Sequence, residues 1–239
     1  MDIGSDVTGS RRVFVVAGSP TATPPALLRP SAGDFVIAAD SGIGHALAWG
    51  WRVDLAIGDM DSVAAQDLDQ VERRGTRVVR MPPAKDETDL ELALLYAVDL
   101  APREIVVCGA LGGRSDHYLA NVLLLARRDL RGHRICLQDG GQAIVLLLGG
   151  IASQLQVEGE VGDLLSLLPV GGDVRGVSTA GLSYPLVGET LYMGAARGMS
   201  NVFVQNVVTI SAADGMLLVI HTSAAAGSSA RPGGKNENF

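Results

Sequence analysis

Over roughly the first 140 residues, short apolar runs alternate with stretches of helical periodicity, and this alternation restricts the chain to a small set of folds. Residues 13–17, 35–39, 53–57, 77–80, 105–108 and 134–138 are rich in Val, Ile and Ala, as buried strands are. Between them, residues 43–49, 63–74, 90–100 and 118–128 carry apolar positions at helical spacing. In the third helical stretch Leu90, Ala93, Leu94 and Ala97 share one face; in the fourth, Leu119, Val122, Leu123 and Ala126 are expected to face inward. Strands and helices in this order predict βαβ units and a mostly parallel, Rossmann-like sheet with helices on both faces.

The texture changes near Gly140-Gly141. Beyond it, β-rich runs at 143–148, 155–158, 164–169, 174–179, 191–193, 201–210 and 216–221 are separated by Gly, Pro, Asp and Ser, with no helical stretch. That spacing predicts an antiparallel sandwich. The expected division is a loose N-terminus over 1–11, an α/β catalytic domain over 12–140, an all-β domain over 141–222 and a disordered tail over 223–239.

Four of the strands in the first half run into acidic or Gly-rich loops. They are Asp40-Ser41-Gly42, Gly58-Asp59-Met60-Asp61-Ser62, Lys85-Asp86-Glu87-Thr88-Asp89 and Gly112-Gly113-Arg114-Ser115-Asp116-His117. Each alone reads equally as a polar turn or a helix cap: Asp86 with Asp89 as an acidic capping box, Asp116 as a cap for the next helix. In a parallel sheet, however, all four project from one edge, where α/β proteins bind ligands. Carboxylates gathered there repel one another unless a cation such as Mg²⁺ neutralises them, leaving Lys85 and Arg114 to grip phosphate oxygens.

Composition narrows the partners. A net charge of −7 and 4% aromatic residues provide neither a basic stripe nor stacking platforms, so nucleic acid is not expected as a partner. No apolar run approaches a membrane span and the N-terminus lacks a signal-like core, so a cytoplasmic protein is expected. The two cysteines, Cys108 and Cys136, lie in apolar runs and are expected to be buried free thiols.

The ordered set of loops, from Asp40-Ser41-Gly42 through Asp59-Met60-Asp61-Ser62 and Lys85-Asp86-Glu87-Thr88-Asp89 to Gly112-Gly113-Arg114-Ser115-Asp116-His117, resembles the thiamine pyrophosphokinase (thiamine diphosphokinase) family. In the second half, Ser178-Thr179-Ala180-Gly181-Leu182-Ser183-Tyr184-Pro185-Leu186 and Gly198-Met199-Ser200-Asn201 resemble that family's C-terminal signatures. The resemblance spans about residues 13–220. It implies Mg²⁺-dependent transfer of a diphosphoryl group from ATP to the hydroxyl of thiamine, giving thiamine diphosphate and AMP.

On that resemblance Asp59, Asp61, Asp86 and Asp89 would bind the metal and, with Arg114 and Asp116, form the catalytic group. Asp40, Ser41, Gly42, Lys85 and Arg114 would face ATP, while Ser200 and Asn201 would contact thiamine. A homodimer with its active site between subunits is also implied. The second half has no Trp, so Tyr184 or Phe203 is expected to offer the aromatic surface, if one is used. Two other readings share these residues: a pyrophosphokinase for another heterocyclic alcohol such as a pterin, and a non-catalytic nucleotide-binding regulator.

Overall fold

The computed structural model describes residues 11–25 and 28–225. The expected loose N-terminus therefore lies outside the described residues except for Arg11, and the expected tail except for residues 223–225. Those flanking residues are held: Arg103 N–H donates to the Arg11 carbonyl, Ser223 N–H to that of Gly141, and Ala224 N–H to the Asp163 carboxylate.

The first half alternates as its pattern dictates. It runs β1 (Arg12–Val16), β2 (Phe35–Ala39), α1 (Gly42–Ala48), β3 (Leu55–Gly58), α2 (Ala65–Arg73), β4 (Arg77–Arg80), α3 (Asp89–Asp99), β5 (Glu104–Cys108), α4 (Ser115–Leu123) and β6 (Ile135–Asp139). These six strands are parallel in the order β4-β3-β2-β1-β5-β6, so the order reverses between β1 and β5. Successive residues of β1 point to opposite faces and enter different cores. Val13 and Val15 pack with Leu90, Ala93, Leu94 and Ala97 of α3, while Phe14 and Val16 pack with Ile43, Ala46 and Trp51.

The second half holds β7 (Gln142–Leu148), β8 (Gln154–Glu158), β9 (Leu164–Pro169), β10 (Val174–Ala180), β11 (Glu189–Leu191), β12 (Asn201–Val202), β13 (Val207–Ser211) and β14 (Met216–Thr222). The texture change at Gly140-Gly141 coincides with the turn joining β6 to β7, where pairing becomes antiparallel without a break in the sheet. Strands β7, β14, β9 and β12 extend the parallel sheet to ten strands, and β11-β10-β13-β8 forms a second layer. Between the layers lie Val145, Leu147, Leu167, Leu217 and Val219 from one side and Val157, Val177, Val208 and Ile210 from the other. The expected α/β fold followed by an antiparallel sandwich is therefore present, with one layer of the sandwich grown from the α/β sheet.

Two local expectations are corrected. The helix expected over 118–128 starts earlier, at Ser115, and tightens to a 3₁₀ turn at Leu124–Ala126. Its buried face also differs from the expected one: Val122 and Leu125 enter the core, whereas Leu119 and Leu123 are 57% and 52% exposed. The run expected over 201–210 is two strands, because β12 pairs with β9 in the large sheet and β13 pairs with β8 and β10 in the small one.

The strand ends approach one another backbone to backbone. A Cβ on Gly42 would lie 2.0 Å from the Val16 carbonyl oxygen, and one on Gly109 would lie 2.4 Å from that of Ala17. Gly33, at ordinary φ, has open space around it. Gly42→Ala should therefore cost about 1–3 kcal/mol through overpacking, and Gly33→Ala should be near neutral. Urea unfolding of the two variants checks the contrast.

Candidate functional site

At the C-terminal ends of the parallel strands lies a cavity of about 490 Å³, within the usual size of small-molecule pockets. Its walls include Ala17 to Pro20 after β1, Asp40 and Ser41 after β2, Asp59 and Asp61 after β3, and Gly109, Gly112 and Arg114 after β5. Lys85 enters from the loop before α3 and Asp89 from the first position of that helix. The cavity thus spans the point where strand order reverses, as expected for open α/β sheets.

Oxygen atoms of Asp40, Asp59 and Asp89 lie within 4.8 Å of one another. Lys85 Nζ sits 3.1 Å from Asp89 and 3.7 Å from Asp59, largely buried between them. Asp40 Oδ1 is buried and has no hydrogen-bond partner. Burial, and then the charges of Asp89, Asp59 and Asp61, raise the Asp40 pKa. Asp59 moves the other way, lowered by the Asp61 N–H that donates to it at 3.1 Å and by Lys85. Burial opposes the charge on Lys85, but the hydrogen bond and charge of Asp89, with those of Asp59, hold its pKa above the ordinary value.

Local structure explains these positions. Thr88, not Asp86, caps α3: its hydroxyl accepts the Glu91 N–H, leaving the neighbouring Asp89 carboxylate for the cavity. Asp40 and Met60 have φ of 44° and 66°, a left-handed conformation uncommon outside Gly and Asn or Asp. Strained positions of this kind gather at functional sites.

The other candidate residues are distributed as follows. Asp61 is exposed at the cavity rim and accepts the Ser62 hydroxyl at 2.8 Å. Asp86 is exposed and does not line the cavity, and Gly42 is buried behind Ser41. Arg114 and Asp116 form an exposed two-point pair at 3.1 and 2.6 Å, which raises the pKa of the arginine and lowers that of the aspartate. His117 also borders the cavity.

Ser200 and Asn201 are elsewhere, beside β12 at the far edge of the ten-stranded sheet. Ser200 is exposed, with φ of 52°. Asn201 is buried; its Oδ1 accepts the N–H groups of Tyr184 and Val202, and its Nδ2 donates to the Tyr184 carbonyl at 2.7 Å. Phe203, one of the two expected aromatic surfaces, is fully buried in the sandwich core, whereas Tyr184 is exposed.

The sequence reading passed over Asp139. Its buried carboxylate ends β6 and binds backbone N–H groups of the loop after β5. The signal was available: Asp139-Gly140 repeats the strand-then-acid pattern that marked Asp40.

Fold and cavity together define an α/β enzyme with a carboxylate–lysine site at its sheet edge, joined to an antiparallel sandwich. The model of the thiamin pyrophosphokinase catalytic domain matches residues 30–164, and that of the vitamin B1 binding domain matches residues 153–217. A thiamine pyrophosphokinase of Bacillus subtilis (strain 168) is 30% identical over 169 residues, covering 70% of this chain and 78% of that protein. A crystal structure of the Bacillus subtilis enzyme superposes with a TM-score of 0.80 at 27% identity, covering 90% of this chain and 100% of that one. A family protein from Enterococcus faecalis superposes at 0.77 with 29% identity, over 89% and 99% of the two chains. The chain belongs to the thiamin pyrophosphokinase family and is an enzyme of that family, a thiamine diphosphokinase.

Burial and the charges of Asp89, Asp59 and Asp61 oppose the ionised form of Asp40, so Asp40→Asn should stabilise the ligand-free protein at neutral pH; Asn tolerates the positive φ. A raised folded-state pKa means that wild-type protein recovers stability as pH falls through it. The advantage of Asp40→Asn should therefore shrink toward pH 4. Melting temperatures at pH 7 and pH 4 check both the sign and the trend.

Proposed function

We propose that ATP is the diphosphate donor, that Mg²⁺ binds at the acid cluster, and that two copies of the chain complete the site for thiamine. The convergence of Asp40, Asp59 and Asp89 around Lys85 carries this reading. Three carboxylates, one with a buried unpartnered oxygen, supply the hard oxygen ligands that Mg²⁺ prefers. Mg²⁺ held there would neutralise phosphate charge and orient the triphosphate.

Asp59 and Asp89, with Asp40, are the metal ligands in this reading, and Asp61 serves from the rim. Asp86 faces solvent and contributes only general negative charge. Lys85 and Arg114 grip phosphate oxygens, with Asp116 holding the guanidinium in orientation. Ser41 borders the same nucleotide pocket. The thiamine hydroxyl oxygen bonds to the β-phosphorus while the bridging oxygen departs with AMP, so positioning and charge neutralisation supply most of the catalysis.

Sheet width supports the two-copy arrangement. Seven strand steps separate β12 from β2, about 33 Å at the usual strand spacing, too far for one small substrate to touch Ser200 and Asp40 of one chain. Exposed Tyr184, Tyr192, Met193 and Met199 near that edge favour burial against a second copy. Ser200 contacts thiamine in this reading, while Asn201 acts by fixing Tyr184. The buried free thiols fit a cytoplasmic location.

Purified protein with ATP, Mg²⁺ and thiamine should form thiamine diphosphate and AMP in equal amounts, and EDTA should abolish both. ADP in place of AMP would refute attack at the β-phosphorus. Asp59→Asn should stay folded yet lose turnover by about two orders of magnitude or more, since a metal ligand's charge is gone. Ser200→Ala should chiefly raise the Michaelis constant for thiamine; an unchanged constant would remove Ser200 from the vitamin site.

A further inference from the structure

Asp139 takes no part in the acid cluster and does not line the cavity, yet the loop that does is built on it. Its side chain is nearly enclosed, at 9% exposure for the residue. Oδ1 accepts the Gly109 N–H at 2.6 Å and Oδ2 accepts the Leu111 N–H at 2.7 Å. The same turn is held from its other sides. Ser19 donates its N–H to the Gly109 carbonyl at 2.9 Å and its hydroxyl to the Leu111 carbonyl at 3.0 Å, and Asn121 Nδ2 donates to the Ala110 carbonyl at 2.9 Å.

This turn leads directly into Gly112, Gly113 and Arg114, and Gly109, Gly112 and Arg114 form a wall of the cavity. Gly112 and Gly113 have φ of 95° and 73°, so the chain between Leu111 and Arg114 follows a path that few other residues would hold. Burial pushes the Asp139 pKa up to about 6 despite the N–H groups of Leu111, Gly109 and Ala110 that favour its ionised form. An apolar side chain would fill this space without that desolvation, but it would leave the amides of Gly109 and Leu111 without their acceptor.

We propose that Asp139 is a positioning residue for the nucleotide: by accepting two amides of the 109–111 turn, it presets the loop that offers Gly112 and Arg114 to the phosphates. The inference rests on ATP as the donor. Both carboxylate oxygens are needed, because an amide in their place turns a donor toward one of the two N–H groups.

The test compares wild type with Asp139→Asn for binding of Mg²⁺ and α,β-methylene-ATP, whose bridging carbon blocks the transfer, and for the Michaelis constant of thiamine. The expected result is a dissociation constant for the analogue weakened by at least about tenfold, with the thiamine constant unchanged and the circular dichroism spectrum retained. Equal loss for both ligands, or no loss for the analogue, overturns the positioning role. Failure of wild type to bind the analogue refutes the ATP reading, and the proposal with it. Hydrogen exchange on ligand-free wild type gives a second readout that needs no variant. Slow exchange at the Gly109 and Leu111 amides before nucleotide is added is expected; fast exchange that slows only on binding contradicts a preset turn.

Discussion

The close approach of backbone to backbone at the carboxyl edge of the parallel strands is the constraint on which the site depends. Side chains are excluded where Gly42 meets the Val16 carbonyl and where Gly109 meets that of Ala17, and a Cβ on Gly58 would lie 3.2 Å from the Asp40 Cα. With those contacts in place, the loops after β2 and β3 lie against each other, and the carboxylates of Asp40 and Asp59 come within reach of Asp89 at the start of α3. Wider loop spacing would leave three separate surface acids, each capping a turn or solvated.

Bringing like charges together has a cost that the surrounding structure offsets. Lys85 stands among the acids as a resident cation, and Thr88 takes over helix capping so that Asp89 need not. The left-handed backbone at Asp40 and Met60 stores further strain, held in place by the strands on either side. Ser200, at the opposite edge of the sheet, shares that backbone conformation. Function here is written in local departures from what the fold alone prefers.

The sequence made the α/β half legible because apolar strand runs and helical patterns alternate cleanly and because every strand end but that of β4 carries Gly or Asp. Where periodicity was ambiguous, physics beyond the local pattern decided. Leu119 and Leu123 fit a helical face, but the side of the 115–126 segment that meets the core carries Val122 and Leu125, and both leucines lie exposed. One apolar run became β12 and β13 because the two ends pair with different sheets, a long-range choice that no window of ten residues encodes. Asp40 was expected at the same sheet edge as the other acids but assigned to the nucleotide, whereas its carboxylate lies within reach of Asp59 and Asp89; Asp86, in the same motif as Asp89, faces solvent. Asn201 is bonded wholly within its own chain, which a motif cannot reveal.

The most direct test of the central claim is to locate the metal. Crystals grown with Mn²⁺ in place of Mg²⁺ and with α,β-methylene-ATP would give an anomalous peak at each bound ion. A peak within about 2.5 Å of carboxylate oxygens from Asp40, Asp59 and Asp89, with the Lys85 ammonium moved onto the phosphates, is the predicted result. A nucleotide bound in the cavity with Mn²⁺ away from those three aspartates, or with Lys85 still paired to them, would contradict it.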